Sequence, residues 1–96
     1  MKKVYADCGA TTPLRAEALE AMLPFLKEDF GNASSMHSWG QTAARAVEKA
    51  RAQVASLVGA KSLEVIFTGG GTEADNLALR GVALALRKKG NHIVTT

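Results

Sequence analysis

The sequence holds one cysteine, Cys8, so an intrachain disulfide and a multi-cysteine metal site are both excluded, and a reducing, cytoplasmic setting suits it. It has no run approaching the roughly 20 apolar residues that span a bilayer, which argues against a membrane partner. Met1–Asp7 carries two lysines, but Asp7 and Gly9 interrupt any apolar stretch of secretory-signal length. The basic residues form no block. Twelve Lys and Arg against nine Asp and Glu give a formal charge of +3, and they are spread from Lys2 to Lys89, which argues against a nucleic-acid partner.

What is present is ordinary globular composition. Apolar residues make up 47% and charged residues 22% of the chain, enough to exclude wholesale disorder and collagen-like repeats. Ninety-six residues give room for one small domain and exclude a two-domain enzyme with its own substrate domain. The chain is one module or a piece of something larger.

Pattern along the chain predicts an α/β arrangement in the order helix, helix, strand, helix, strand. A short extended arm, Val4–Ala6, leads into the turn-prone Asp7-Cys8-Gly9. Thr12-Pro13 reads as a helix approach, with a first helix from about Leu14 that puts Leu19, Met22, Leu23 and Leu26 on one face. Pro24 falls inside that pattern and predicts a kink or an early end, because its ring clashes with the carbonyl of Glu20. After the polar connection Phe30–Ser35, a second helix starts near His37 or Ser38. It carries Ala43, Val47, Ala50, Val54, Leu57 and Val58, and ends at Gly59.

Glu64–Thr68 is the clearest strand, β-branched and aromatic, ending against Gly69-Gly70-Gly71. A third helix follows with Ala74, Leu77, Ala78, Gly81, Leu84 and Ala85 on its stripe, closed by Arg87-Lys88-Lys89-Gly90. His92–Thr96 reads as a second strand, which makes a βαβ unit with parallel strands. A parallel sheet normally has more strands and two covered faces, so this sheet is expected to be incomplete.

The most informative segment is the glycine loop, Thr68-Gly69-Gly70-Gly71-Thr72-Glu73-Ala74-Asp75-Asn76. A strand running through three glycines into a helix exposes backbone N–H groups at the helix's positive end, the geometry that binds anions and phosphate above all. Thr72 is placed to cap, with Asp75 returning a bond in a variant capping box. A tight turn with no ligand fits the spacing equally well. No lysine follows Gly71, which excludes the Walker phosphate loop. Gly69, Gly71 and Ala74 match the dinucleotide pattern formally, but about 60 residues precede the strand and no acid closes the second one.

His37 reads as a cap or border of the second helix and His92 as a lead into the last strand. Neither has a nucleophile placed beside it by a known motif, and Cys8 reads as an inert lone thiol.

Four stretches taken together resemble the start of the NifS/IscS-type cysteine desulfurases, pyridoxal-phosphate enzymes of the class V aminotransferase group. They are Val4–Pro13, Ala21–Phe25, Phe30–His37 and Thr68–Asn76, in order and with natural spacing. The resemblance implies the N-terminal portion of the large domain of a pyridoxal-phosphate-dependent transferase. Residues 1–14 would be an arm belonging to the small domain, and residues 15–96 the first part of the large cofactor domain. It implies a homodimer of about four times this length that takes sulfur from L-cysteine, leaving L-alanine and an enzyme persulfide for a sulfur-acceptor or scaffold protein in iron–sulfur cluster or thiolation pathways. It also implies that Gly71 and Thr72 hold the cofactor phosphate.

Departures from the family are specific. Cys8 stands where Asn is usual, Ala33 where Pro is frequent, and Gly69-Gly70-Gly71 where Ser-Gly-Ala is common. No lysine here matches the Schiff-base motif, Cys8 is not the persulfide cysteine by position, and no residue of this chain is assigned to catalysis or to a metal. The chain alone is therefore expected to be inactive. Two other readings stay open: another class V relative, such as a selenocysteine lyase or kynureninase-like enzyme, and a short non-enzymatic anion-binding module.

Overall fold

The computed structural model describes residues 1–95 and contains three α-helices: α1 (Ala16–Lys27), α2 (Ser38–Val58) and α3 (Gly71–Leu86). A single 3-10 turn, Ser62–Glu64, lies between α2 and α3. Contacts divide the chain into two units, Met1–Ala50 and Arg51–Thr96, each described here by itself.

In the first unit, residues 1–15 form no helix. Their one turn, at residues 8–10, is held by the Ala10 N–H donating to the Asp7 carbonyl at 3.0 Å. The Tyr5 hydroxyl lies 2.9 Å from the carbonyl oxygens of both Asp7 and Thr11 and ties the arm across that turn. Helix α1 begins two residues later than its periodicity predicts. Its N-cap is Arg15 in extended geometry, and no side chain caps it, Thr12 included. Pro24 lies inside the helix, which runs three residues past it, so the early end expected there does not occur. The Pro24 carbonyl still accepts from the N–H groups of Glu28 (2.8 Å) and Asp29 (2.9 Å), so the proline removes only the bond to Glu20 and leaves the helix's last turn intact.

The connection from residue 30 to residue 37 packs onto the first turn of α2, and two glycines permit it. A Cβ on Gly31 would come within 2.5 Å of the Trp39 backbone, and one on Gly40 within 2.2 Å of the Ser35 carbonyl oxygen. The Asn32 side chain accepts from the Ser34 N–H at 2.9 Å, and its carbonyl accepts from Ser35 at the same distance. His37 caps α2 as its sequence position suggests: Nδ1 accepts from the Gly40 N–H at 3.3 Å, and the ring meets Trp39 edge-on.

In the second unit, Gly59 ends α2 with φ +68, a left-handed conformation that glycine adopts at little cost. Beyond it, the Glu64 carboxylate accepts from the Lys61 N–H at 2.7 Å and fixes the 3-10 turn. Helix α3 closes where expected, with the N–H groups of Lys89 and Gly90 both bonded to the Leu86 carbonyl.

The two strands do not form, which corrects the strand pattern read from the sequence. No strand is present among the described residues; Thr96, the last residue of the second expected strand, lies outside them. In the first expected strand, backbone polar groups of Glu64 and Val65 are engaged locally. The N–H groups of Glu64 and Val65 bond back into the 3-10 turn, at Lys61 and Ser62. The Arg51 guanidinium donates to the Val65 carbonyl and stacks over the Phe67 ring at 5.1 Å. Val65 keeps extended geometry (φ −101, ψ 125), but a ladder needs a neighbour, and its carbonyl is already taken.

Little core results. Ala43 and Ala55 are the buried apolar residues among those described, and the stripes of α1 and α3 stay uncovered: Leu26 is 65% exposed and Leu84 63%. Among the described residues, no helix is long and apolar enough to cross a membrane.

Candidate functional site

The glycine loop joins extended residues 65–68 to α3. Gly70 is the N-cap in fully extended geometry (φ 169, ψ 175), which makes Gly71 the first and Thr72 the second residue of the helix. The N–H groups of Gly71, Thr72 and Glu73 therefore belong to the first turn, where α-helices have no internal acceptors. No side chain caps them through Gly70.

The expected box of Thr72 and Asp75 is not formed, for a geometric reason. An N-cap hydroxyl reaches forward to the second or third N–H of its helix, and Thr72 already stands inside that turn. Two other residues hold the loop. The Glu73 carboxylate reaches back to accept from the Gly69 N–H at 2.7 Å, and the Thr68 hydroxyl donates to the Gly70 carbonyl at 3.1 Å. The Asn76 amide donates to the Thr72 carbonyl at 2.8 Å. The Thr72 side chain is left facing solvent at the helix start, together with Gly71.

Space is available over those donors. A Cβ on Gly70 or Gly71 would meet nothing within 4 Å, so close approach to this backbone is unobstructed. At Gly69, by contrast, a Cβ would sit 3.1 Å from the Glu73 carboxylate. A shallow cleft of about 420 Å³ flanks the loop, lined by Glu64, Ile66, Thr68, Ala74 and Leu77. A larger one of about 610 Å³ runs along the C-terminal half of α3 beside Leu79, Val82, Leu86 and Ile93. The larger cleft does not include the glycine loop; its α3 lining is the side that carries Leu79, Val82 and Leu86, whereas the stripe residues Ala74 and Leu77 line the smaller cleft.

The donor set suits a phosphate monoester. It offers consecutive backbone N–H groups and a hydroxyl at the positive end of a 16-residue helix, over an open surface and beside glycines that allow backbone approach. Both residues named from the sequence, Gly71 and Thr72, are in that set. Glu73 was missed, although a glutamate four residues beyond the first loop glycine is a recognisable back-reaching pattern. His37, His92 and Cys8 are not part of this site. His37 is spent on the α2 cap, His92 borders the larger cleft, and Cys8 is exposed on the arm's turn. No group of three or more His, Cys, Asp or Glu side chains gathers among the described residues.

Comparison with known proteins gives a consistent result. The family model described as aminotransferase class-V matches residues 4–96. The chain is 57% identical over 95 residues to the cysteine desulfurase IscS of Dictyoglomus turgidum, covering 99% of this chain and 24% of that protein. It is 50% identical over 95 residues to the cysteine desulfurase IscS of Methanosarcina thermophila, with the same coverage. To the cysteine desulfurase IscS of Anaeromyxobacter sp. it is 53% identical over 93 residues, covering 96% of this chain and 23% of that protein. The chain thus spans about a quarter of the length of the curated relatives it matches. No solved structure matches it.

Proposed function

Because the chain belongs to the aminotransferase class-V family, we propose that it is the N-terminal part of a pyridoxal-phosphate-dependent cysteine desulfurase and that Gly71 and Thr72 hold the cofactor phosphate. The observation that carries this reading is the opening of α3: two N–H donors and a hydroxyl with no side-chain cap, under open space, on a chain that resembles cysteine desulfurases along its whole length. When bound, pyridoxal phosphate supplies an electron sink for chemistry at the substrate's α-carbon. This chain's contribution is to bind and orient. The donors of Gly71 and Thr72 fix the phosphate, the helix dipole favours its charge, and the glycines let the backbone come close.

In this reading, residues 1–14 are an arm of the small domain, and residues 15–96 open the large α/β domain. Glu64–Thr68 and His92–Thr96 gain their ladder partners from chain outside these 96 residues. The substrate is L-cysteine and the products are L-alanine and an enzyme persulfide, passed to a sulfur-acceptor protein. The longer protein is a cytoplasmic homodimer. The lysine that bonds the cofactor and the persulfide cysteine lie beyond this chain, so the 96 residues alone have no desulfurase activity.

Two measurements test this. The longer protein incubated with L-cysteine and an excess of a thiol reductant, which reduces the persulfide and frees its sulfur, is expected to release alanine and sulfide in equal amounts, while the 96-residue chain under the same conditions releases none. Titration of the labelled chain with inorganic phosphate should shift the amide resonances of Gly71 and Thr72 before others. Shifts that stay flat to millimolar phosphate would sink the assignment of the phosphate site.

A further inference from the structure

The Glu73 carboxylate is an unexpected group at a site for anions, because a negative charge beside a phosphate repels it. Its position resolves the conflict. Its oxygen lies 2.7 Å from the N–H of Gly69, one residue before the N-cap, and so engages none of the first-turn donors. The Thr68 hydroxyl, bonded to the Gly70 carbonyl, holds the same segment from the other side. Between these two bonds Gly70, which as a glycine has more backbone freedom than any other residue would have there, is held in the extended N-cap conformation from which α3 starts.

We propose that Glu73 is a positioning residue for the anion site: its carboxylate anchors the Gly69 N–H, which fixes Gly70 and aims the N–H groups of Gly71 and Thr72 at the ligand. This rests on the phosphate reading above. The donors are divided in advance, with Gly69 assigned to the protein's own carboxylate and Gly71 and Thr72 reserved for the ligand. Preorganisation of this kind strengthens binding by removing the entropy lost when a loose loop is ordered. The conformation also explains why Gly69 differs from its neighbours, since a Cβ there would press on the latch while Gly70 and Gly71 face open space.

The test uses the labelled 96-residue chain, inorganic phosphate as probe, and the variants Glu73→Ala, Glu73→Gln and Glu64→Ala. Two quantities are read: hydrogen-exchange protection of the Gly69 amide without ligand, and the phosphate dissociation constant from the Gly71 and Thr72 shifts. Glu73→Ala is expected to lower Gly69 protection and weaken phosphate binding by about fivefold each, the scale of one hydrogen bond. Glu73→Gln keeps an acceptor oxygen without the charge, so it should keep Gly69 protection within about twofold and bind phosphate as well as the unaltered chain or better. Glu64→Ala removes a similar back-reaching carboxylate at the 3-10 turn and should leave phosphate binding unchanged.

If the unaltered chain binds phosphate and Glu73→Ala binds it equally well or more tightly, the positioning role is overturned while the phosphate reading stands. Weaker binding by Glu73→Gln also overturns it, and this arm decides the matter even where Glu73→Ala unfolds α3. Flat shifts in the unaltered chain remove the phosphate reading, and this inference with it.

Discussion

Single residues in this chain differ sharply in what they tolerate, and the distances say why. Gly31 and Gly40 are contact glycines, with a Cβ landing 2.5 Å from the Trp39 backbone and 2.2 Å from the Ser35 oxygen. Gly31→Ala and Gly40→Ala should each destabilise the start of α2 by about 1–3 kcal/mol through overpacking, read as lost helical circular dichroism on mild heating. Gly71 is the opposite case. A methyl there meets nothing within 4 Å, so Gly71→Ala should cost no stability and should leave the backbone donors in place. The sequence places Gly31 and Gly71 in loops and Gly40 inside the second helix; what separates the contact glycines from Gly71 is which backbone lies opposite, and that is tertiary information. Gly71 and Thr72 were named through the family resemblance, since the loop pattern alone fits a turn without ligand equally well, and Glu73 was missed because its bond to the Gly69 N–H depends on how the loop is folded.

At the scale of elements, the helices follow their sequence signals closely. The three- and four-residue spacing, Gly59 after α2 and the basic run after α3 set boundaries within one or two residues of those observed. Pro24 is the exception, because α1 continues through it. Pro24→Ala restores an N–H opposite the Glu20 carbonyl and should stabilise α1 by up to about 3 kcal/mol, seen as a gain in helical signal for the whole chain. The strands behave differently. Alternation and β-branching at residues 64–68 favour extended backbone, and Val65 is extended, but a strand is a pairing relation and not a property of one segment. Arg51, not a neighbouring strand, donates to the Val65 carbonyl. Arg51→Met should raise amide exchange across residues 65–67 several-fold while leaving α2 helical, since it removes both the bond to Val65 and the contact with Phe67.

At the scale of the molecule, the governing quantity is uncovered apolar surface. The chain exposes 8926 Å², against about 5300 Å² for a closed monomer of its mass. Apart from Ala43 and Ala55, its large apolar side chains sit at 36% exposure or more in the helices that carry them. A urea titration of the isolated chain should therefore give an m-value only about 60% of that of a closed domain of equal length. It should also bind a hydrophobic dye strongly. A steep transition with no dye binding would mean that the stripes are covered in solution.

The sequence by itself determined the three helices, most of their ends, the family and the place of the glycine loop, because these depend on local backbone preferences, on periodicity and on residues adjacent in the chain. Tertiary structure alone decided three other things. It fixed which glycines carry contacts, which carboxylate holds the loop, and whether the extended segments become a sheet. Each of those depends on how a partner approaches in space, even where it is only four residues away as Glu73 is from Gly69, and neither hydrophobic pattern nor propensity records such an approach.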